Sequence, residues 1–320
     1  MMQWNEGIAK ISVPTPYQVG DVNVFVVKGD ALTLIDTGIK SSRSMEVLDQ
    51  RLHELGLRLQ DIEQVVLTHH HPDHSGGLDF FDESIPVLGH RLNQRFLAIS
   101  EEFINHHDQF FREFAGVLGV PEEYTPMISQ FRKTAKYIGQ RHLKTNLSEG
   151  DTIPGLVDWT VIETPGHAQS HISIYREKDG VMIGGDHLLE RISPNPLMEP
   201  PVHKGEPRPK PLLQYNASLK KWLDYPISTV YTGHGNELNN VPSLIGQRFA
   251  KQHERAMHVK RMILDRPATG FEICRQLFPK VYDKELGLTL SETVGQLDYL
   301  EDLGEIKREE SSGAIIYFAQ

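Results

Sequence analysis

The stretch Val65-Val66-Leu67-Thr68-His69-His70-His71-Pro72-Asp73-His74 runs a short apolar strand straight into four histidines and an aspartate, side chains of the kind that hold metals. Side chains two apart on a strand face the same way, so His69 and His71 can converge on one ion, while His70 alternates with them and points away. The turn at Pro72 then re-aims Asp73 and His74 toward a neighbouring position. Neutral imidazole and carboxylate are the donors expected for zinc, and they serve iron or manganese equally. Polar groups packed this densely at a strand end need partners, and a cation supplies them. Ser75-Gly76-Gly77 follows, where a helix is expected to open.

The same pattern recurs at three later strand ends. Val161-Ile162-Glu163 leads through Thr164-Pro165-Gly166 to His167, Val181-Met182-Ile183 through Gly184-Gly185 to Asp186, and Thr229-Val230-Tyr231-Thr232 through Gly233 to His234. Taken singly, each is a weak signal. Together with the first cluster they make seven donors, which suits a pair of cations sharing a carboxylate. His171 and His187 lie close to this set as candidates for contacting substrate or relaying a proton, with packing or support of the donors as the plainer role. His106 and His107 read as surface residues.

Outward from these motifs, residues 8–13, 22–28 and 32–36 read as strands, with Gly29-Asp30 as a turn, and 41–57 as a helix. Strand signals vanish over about 89–150. There Phe96, Phe103, Phe110, Phe111, Phe114, Leu118, Phe131 and Tyr137 recur at helical spacing, which predicts a helical insertion. Strands resume at 157–163, 171–175 and 181–184; a proline-rich loop (193–211), a helix (212–223) and a strand (229–232) close the domain, placed at 1–242. The remainder, 243–320, shows helices at 248–264, 271–278 and 289–303 and a hairpin around Ser311-Ser312-Gly313, a winged-helix-like pattern.

Composition narrows the function. The formal charge of −10 disfavours general attraction to nucleic acid or anionic membrane. The third C-terminal helix carries Glu292, Asp298, Glu301 and Asp302 and no lysine or arginine, a face that repels phosphate. Packing, support or dimerisation is the expected role of that module, and a homodimer is compatible with it. No apolar run approaches the roughly 20 residues of a membrane span, and no basic-then-apolar leader opens the sequence. The single cysteine, Cys274, leaves no intramolecular disulfide, which fits a cytoplasmic setting.

The set His69-x-His71-x-Asp73-His74, then His167, Asp186 and His234, resembles the ligand set of the metallo-β-lactamase superfamily over about the first 240 residues. The resemblance implies an α/β (α+β) fold, a four-layer αββα sandwich, here with the helical insertion and the small C-terminal domain. It implies two divalent ions per chain, with zinc expected. His69, His71 and His167 would hold the first, Asp73, His74 and His234 the second, and Asp186 both. Leu34-Ile35-Asp36-Thr37-Gly38 matches a further superfamily signature, in which Asp36 supports the donors from behind. Two adjacent cations lower the pKa of water toward neutrality, so the expected activity is hydrolysis, with Asp73 also orienting the nucleophile or carrying a proton. True β-lactamases of this fold lack the shared aspartate, and flavodiiron oxidoreductases carry glutamate where His71 stands. A small ester or thioester substrate, as in hydroxyacylglutathione hydrolase, is therefore expected first. A phosphodiester or RNA substrate is the alternative, and a non-catalytic metal-binding regulator a third reading.

Overall fold

Short β-branched runs punctuated by glycine and proline build the first part of the chain, and longer runs at helical spacing build the rest. The computed structural model describes residues 3–128 and 131–320. In chain order the elements are β1 (Ile8–Val13), β2 (Val22–Val27), β3 (Thr33–Ile35), α1 (Ser42–Glu54), β4 (Gln64–Leu67), α2 (Pro72–Ser75), β5 (Val87–His90), α3 (Asn93–Ala98), α4 (Glu101–Val117) and α5 (Phe131–Thr134). Then come β6 (Thr145–Leu147), β7 (Thr152–Ile153), β8 (Leu156–Glu163), β9 (Ile172–Arg176), β10 (Val181–Gly185), α6 (Pro211–Lys221) and β11 (Thr229–Thr232). The last are α7 (Val241–Met262), β12 (Ala268–Thr269), α8 (Gly270–Leu277), α9 (Leu286–Asp302), β13 (Ile306–Ser311) and β14 (Ala314–Ala319). The chain divides into two compact units: 1–100 with 134–194 and 218–242, and 101–133 with 195–217 and 243–320.

In the first unit, one sheet has the order β1-β2-β3-β4-β5-β6 and the other β11-β10-β9-β8-β7. Strands β3 to β6 pair in parallel, as do β10 and β11. Both β2 and β4 are buried along their whole length, which is why they read as unbroken apolar runs rather than alternating ones. Phe25, Ile35 and Val66 from one sheet and Trp159, Ile174 and Tyr231 from the other share one core. Outside the first sheet, α1 turns Leu48 and Leu52 inward and opens on Ser41, whose side chain accepts from the Ser44 amide. Trp222, just past α6, packs on Tyr175 of the second sheet with ring centroids 6.0 Å apart. Helix, sheet, sheet and helix therefore stack as expected.

Two expectations are corrected here. The stretch 89–150 is not helical throughout, because β6 pairs in parallel with β5; three residues are too few to show alternation. The helix expected to open at Ser75-Gly76-Gly77 begins at Pro72, where proline's fixed φ suits a first helical position and its missing N–H costs nothing.

In the second unit, α4 explains why 101–133 groups with the C-terminal segment and not with the first unit. Its Phe111 and Ala115, with Leu118, share a core with Phe271, Cys274, Leu286, Leu290 and Val294. Helical spacing reveals an apolar face but not its partner, so the sequence alone keeps 101–133 and 195–217 within 1–242, whereas these segments group with 243–320. His107, expected on the surface, is buried on the same helix beside the rings of Phe103, Phe111 and Phe131. A second core joins Val259, Ile263, Ile273, Leu297, Leu300 and Tyr317. Thr269 and Glu272 form a reciprocal cap at the start of α8, and β13 and β14 make the expected hairpin within the order β12-β14-β13. Among the described residues, no helix is long and apolar enough to cross a membrane.

Candidate metal centre

The loops leaving β4, β8, β10 and β11 bring all seven expected donors together. Three overlapping groups, His69 with His71 and His167, His69 with His74 and Asp186, and Asp73 with His74 and His234, each hold their donor atoms within 4.8 Å of one another. His69 Nε2 and His71 Nδ1 lie 2.9 Å apart. Asp186 stands between the two ends of the cluster. Its Oδ1 is 3.3 Å from His74 Nε2, and its Oδ2 is 3.5 Å from both His167 Nε2 and His234 Nε2. Asp73 Oδ2 lies 3.3 Å from His234 Nε2.

Three of the imidazoles, those of His69, His74 and His234, are held from behind. The Thr68 hydroxyl donates to Asp36 Oδ2 (2.7 Å), so it can only accept from His69 Nδ1–H (3.0 Å), which leaves His69 Nε2 bare and facing inward. His74 Nδ1–H donates to Asp36 Oδ2 and His234 Nδ1–H to the Asp21 carbonyl, both at 2.8 Å. His74 Nε2, His234 Nε2 and Asp186 Oδ1 are buried and make no hydrogen bond, despite those short approaches. Buried polar atoms rarely stay unsatisfied in a folded protein. Bare donors converging on shared points, with their outer nitrogens already engaged, are the arrangement that cations of the zinc class require. The residues present fit such ions.

Comparison with known proteins agrees. The pattern of the metallo-beta-lactamase superfamily matches residues 17–234. The chain belongs to the metallo-β-lactamase superfamily. It is 45% identical over 296 residues, 92% of each chain, to a Bacillus subtilis protein named "Probable metallo-hydrolase YqjP". Among solved structures it is similar to the metallo-β-lactamase family protein TTHA1429 from Thermus thermophilus, at 28% identity and a TM-score of 0.83 over 99% of each chain. A β-lactamase domain protein from Burkholderia ambifaria shares the fold, with a TM-score of 0.80 at 24% identity over 99% of this chain and 94% of that one.

The electrostatics of this superfamily site follow from its burial. Burial, then neighbouring imidazoles, hold His69 and His71 well below the ordinary histidine pKa, so both are neutral donors. Burial also opposes a charge on His74, but Asp186, Asp36 and Asp73 outweigh it and raise that imidazole well above its ordinary value. His234 is raised likewise, to about 10, by Asp186 and Asp73 against its burial. Asp186 stays ionised well below the usual carboxylate range, because His234 and His74 overcome the cost of burying it. The carboxylates thus demand positive charge where the donors converge, and binding a cation would displace those protons.

The remaining candidates separate cleanly. Asp36 lies behind the donors: besides Thr68 Oγ1 and His74 it accepts from the Thr68 amide (2.8 Å). His70 turns away as expected, stacked on Phe96 at 3.4 Å and within 2.8 Å of Ser170 Oγ. His187 is fully buried, and burial pushes its pKa down to about 3. His171 Nε2 accepts from the Asp186 amide, so it touches the backbone of a donor and not the cluster's interior. Sequence reasoning missed Thr68, Asp21 and Tyr17. Thr68 adjoins the motif and could have been found there, whereas Asp21 acts through its carbonyl, which carries no side-chain signal. Tyr17 is 36% exposed, yet partial desolvation, then the charges of Asp73 and Tyr137, raise its phenol to about 12, so it keeps its proton at neutral pH.

Proposed function

We propose that the chain is a binuclear metal-dependent hydrolase acting on a small ester or thioester. In this reading His69, His71 and His167 hold one divalent ion and Asp73, His74 and His234 the other, with Asp186 bound to both and zinc as the expected metal. The observation that carries it is the trio of overlapping donor groups linked through His69, His74 and Asp186. When bound, two such ions activate water near neutral pH and polarise a carbonyl oxygen. The protein's own residues do the rest. Thr68, Asp36 and the Asp21 carbonyl fix the imidazoles, and Asp73 holds or passes a proton at its free carboxylate edge.

An acyl substrate is favoured over a nucleic acid by charge. The chain carries a formal −10, and of the acidic side chains of α9 three are paired within their own unit, Asp298 with Arg208, Glu292 with Arg255 and Glu301 with Arg308, while Asp302 stays exposed. We read that unit as a winged-helix-like module used for packing rather than for groove recognition. The test is turnover by the zinc-loaded full chain of an acyl thioester, a p-nitrophenyl ester, bis(p-nitrophenyl) phosphate, an RNA oligonucleotide and a β-lactam. Ester and thioester turnover should exceed the others by about a hundred-fold, or roughly 2.7 kcal/mol of transition-state stabilisation. Rapid RNA cleavage with inert esters would reverse the assignment.

A further inference from the structure

The imidazole of His171 closes a hydrogen-bonded circuit around the strand end that carries Asp186. The register of β10 against β11 shifts between Ile183 and Gly185, so the backbone there leaves the ladder and needs other partners. Gly185 adopts φ +49, and a Cβ on it would come within 2.8 Å of His171 Nε2 and 2.9 Å of the Thr68 side chain. At Gly233 a Cβ would collide with Asp186 Oδ1, so both glycines let the circuit and the carboxylate approach this closely.

The donors run in one direction only. The Asp186 amide donates to His171 Nε2 (3.1 Å), so that nitrogen bears no proton. The ring hydrogen then sits on Nδ1, 2.7 Å from Thr164 Oγ1. The Thr164 hydroxyl faces Ser173 Oγ at 3.1 Å, and the Ser173 hydroxyl donates to the Gly184 carbonyl at 3.4 Å. The path thus starts at Asp186 N–H and ends two residues earlier on the same bulge. The backbone ties His171 to the strand end preceding His167, since the Thr164 amide donates to the His171 carbonyl (3.0 Å) and the His171 amide to that of Ala168 (3.2 Å). His171 and Thr164 are both buried, at 1% and 0% exposure, so water offers no substitute.

We propose that His171, in its Nδ1–H tautomer and oriented by Thr164, is a positioning residue that sets the Asp186 carboxylate between the two donor groups, and is neither a metal ligand nor a proton relay. The opposite tautomer would point Nε2–H at the Asp186 amide, two donors face to face. Both ring nitrogens are committed, so no lone pair remains for a cation. This inference rests on the reading of Asp186 as the shared ligand.

Two measurements on the full chain test it. In the metal-free protein, long-range proton–nitrogen correlation spectra of the histidines, assigned with His171→Gln, should show Nδ1 protonated and Nε2 bare. A protonated Nε2 overturns the circuit. The second measurement titrates cobalt(II) into wild type, Thr164→Val and Thr164→Ser, reading stoichiometry and the spectral signature of the coupled pair. Thr164→Val should weaken cobalt binding by about 10- to 100-fold and alter the pair's signature, and Thr164→Ser should restore both. A folded Thr164→Val protein with two cobalt ions, wild-type affinity and an unchanged spectrum contradicts the proposal. A wild type that takes up no cobalt overturns the parent reading instead, and the tautomer in the metal-free protein still decides the circuit, as it does if Thr164→Val fails to fold.

Discussion

Asp186 and Asp298 are both carboxylates withdrawn from water, at 6% and 1% exposure, yet the molecule answers their charge in opposite ways. Asp298 on α9 meets the Arg208 guanidinium through two bonds of 2.7 and 2.6 Å, a closed pair that needs nothing more. Asp186 meets only imidazole nitrogens at 3.3–3.5 Å, and its Oδ1 makes no hydrogen bond at all. A fork-shaped cation on the chain completes a structural site, whereas convergent imidazoles that hold only exchangeable protons leave a place for a cation from outside. The contrast separates stability from chemistry within one polypeptide.

The sharpest break between the two would come from Asp186→Ala. Hydrolytic turnover should fall by more than the roughly 10- to 100-fold typical of losing an outer partner, and metal content should fall below that of wild type. The metal-free protein should also lose some stability near neutral pH, because His74 and His234 lose the carboxylate that favours their charge, so metal content and not melting temperature separates the two variants. In Asp298→Ala, stranding Arg208 should cost about 3 kcal/mol in urea unfolding, the low end for a broken buried pair because Arg208 keeps some exposure, with metal content unchanged. If both variants lost metal alike, the distinction would fail.

Asp36→Asn sharpens the comparison from the site's outer side. An amide nitrogen would then face the donors Thr68 Oγ1 and His74 Nδ1, so metal affinity measured against a chromophoric chelator should drop about 10- to 100-fold. The smallest effect concerns Tyr317 in the second unit, whose phenol is raised to about 12 by burial, then by Glu301. Its folded value lies above the unfolded one, so its contribution is intact below pH 10 and is lost as pH rises through 12. At pH 11 wild type should have lost about 1 kcal/mol more than Tyr317→Phe in parallel unfolding curves, with no difference at pH 8.

The donors were legible because each follows a strand of recognisable pattern, and alternation alone separated His69 and His71 from His70. The layered fold was implied by the superfamily resemblance that those donors carry, not by the strand patterns themselves. What lay hidden was carried by backbone or by partner choice. The Asp21 carbonyl holds His234 without any side chain to announce it. Helix α7 begins at Val241, before the expected 248, because Pro242 reads as a break in sequence while being tolerated in a first turn. The apolar face of α4 was visible, but its packing with α8 and α9 depends on contacts more than 150 residues away along the chain, beyond the reach of any periodicity.

Elemental analysis joined to anomalous scattering from zinc-loaded crystals tests the account at its root. It predicts two ions per chain, one among His69, His71 and His167, the other among Asp73, His74 and His234, with Asp186 touching both. A protein that takes up no metal, or one that holds its ions with Asp186 turned away, would contradict it.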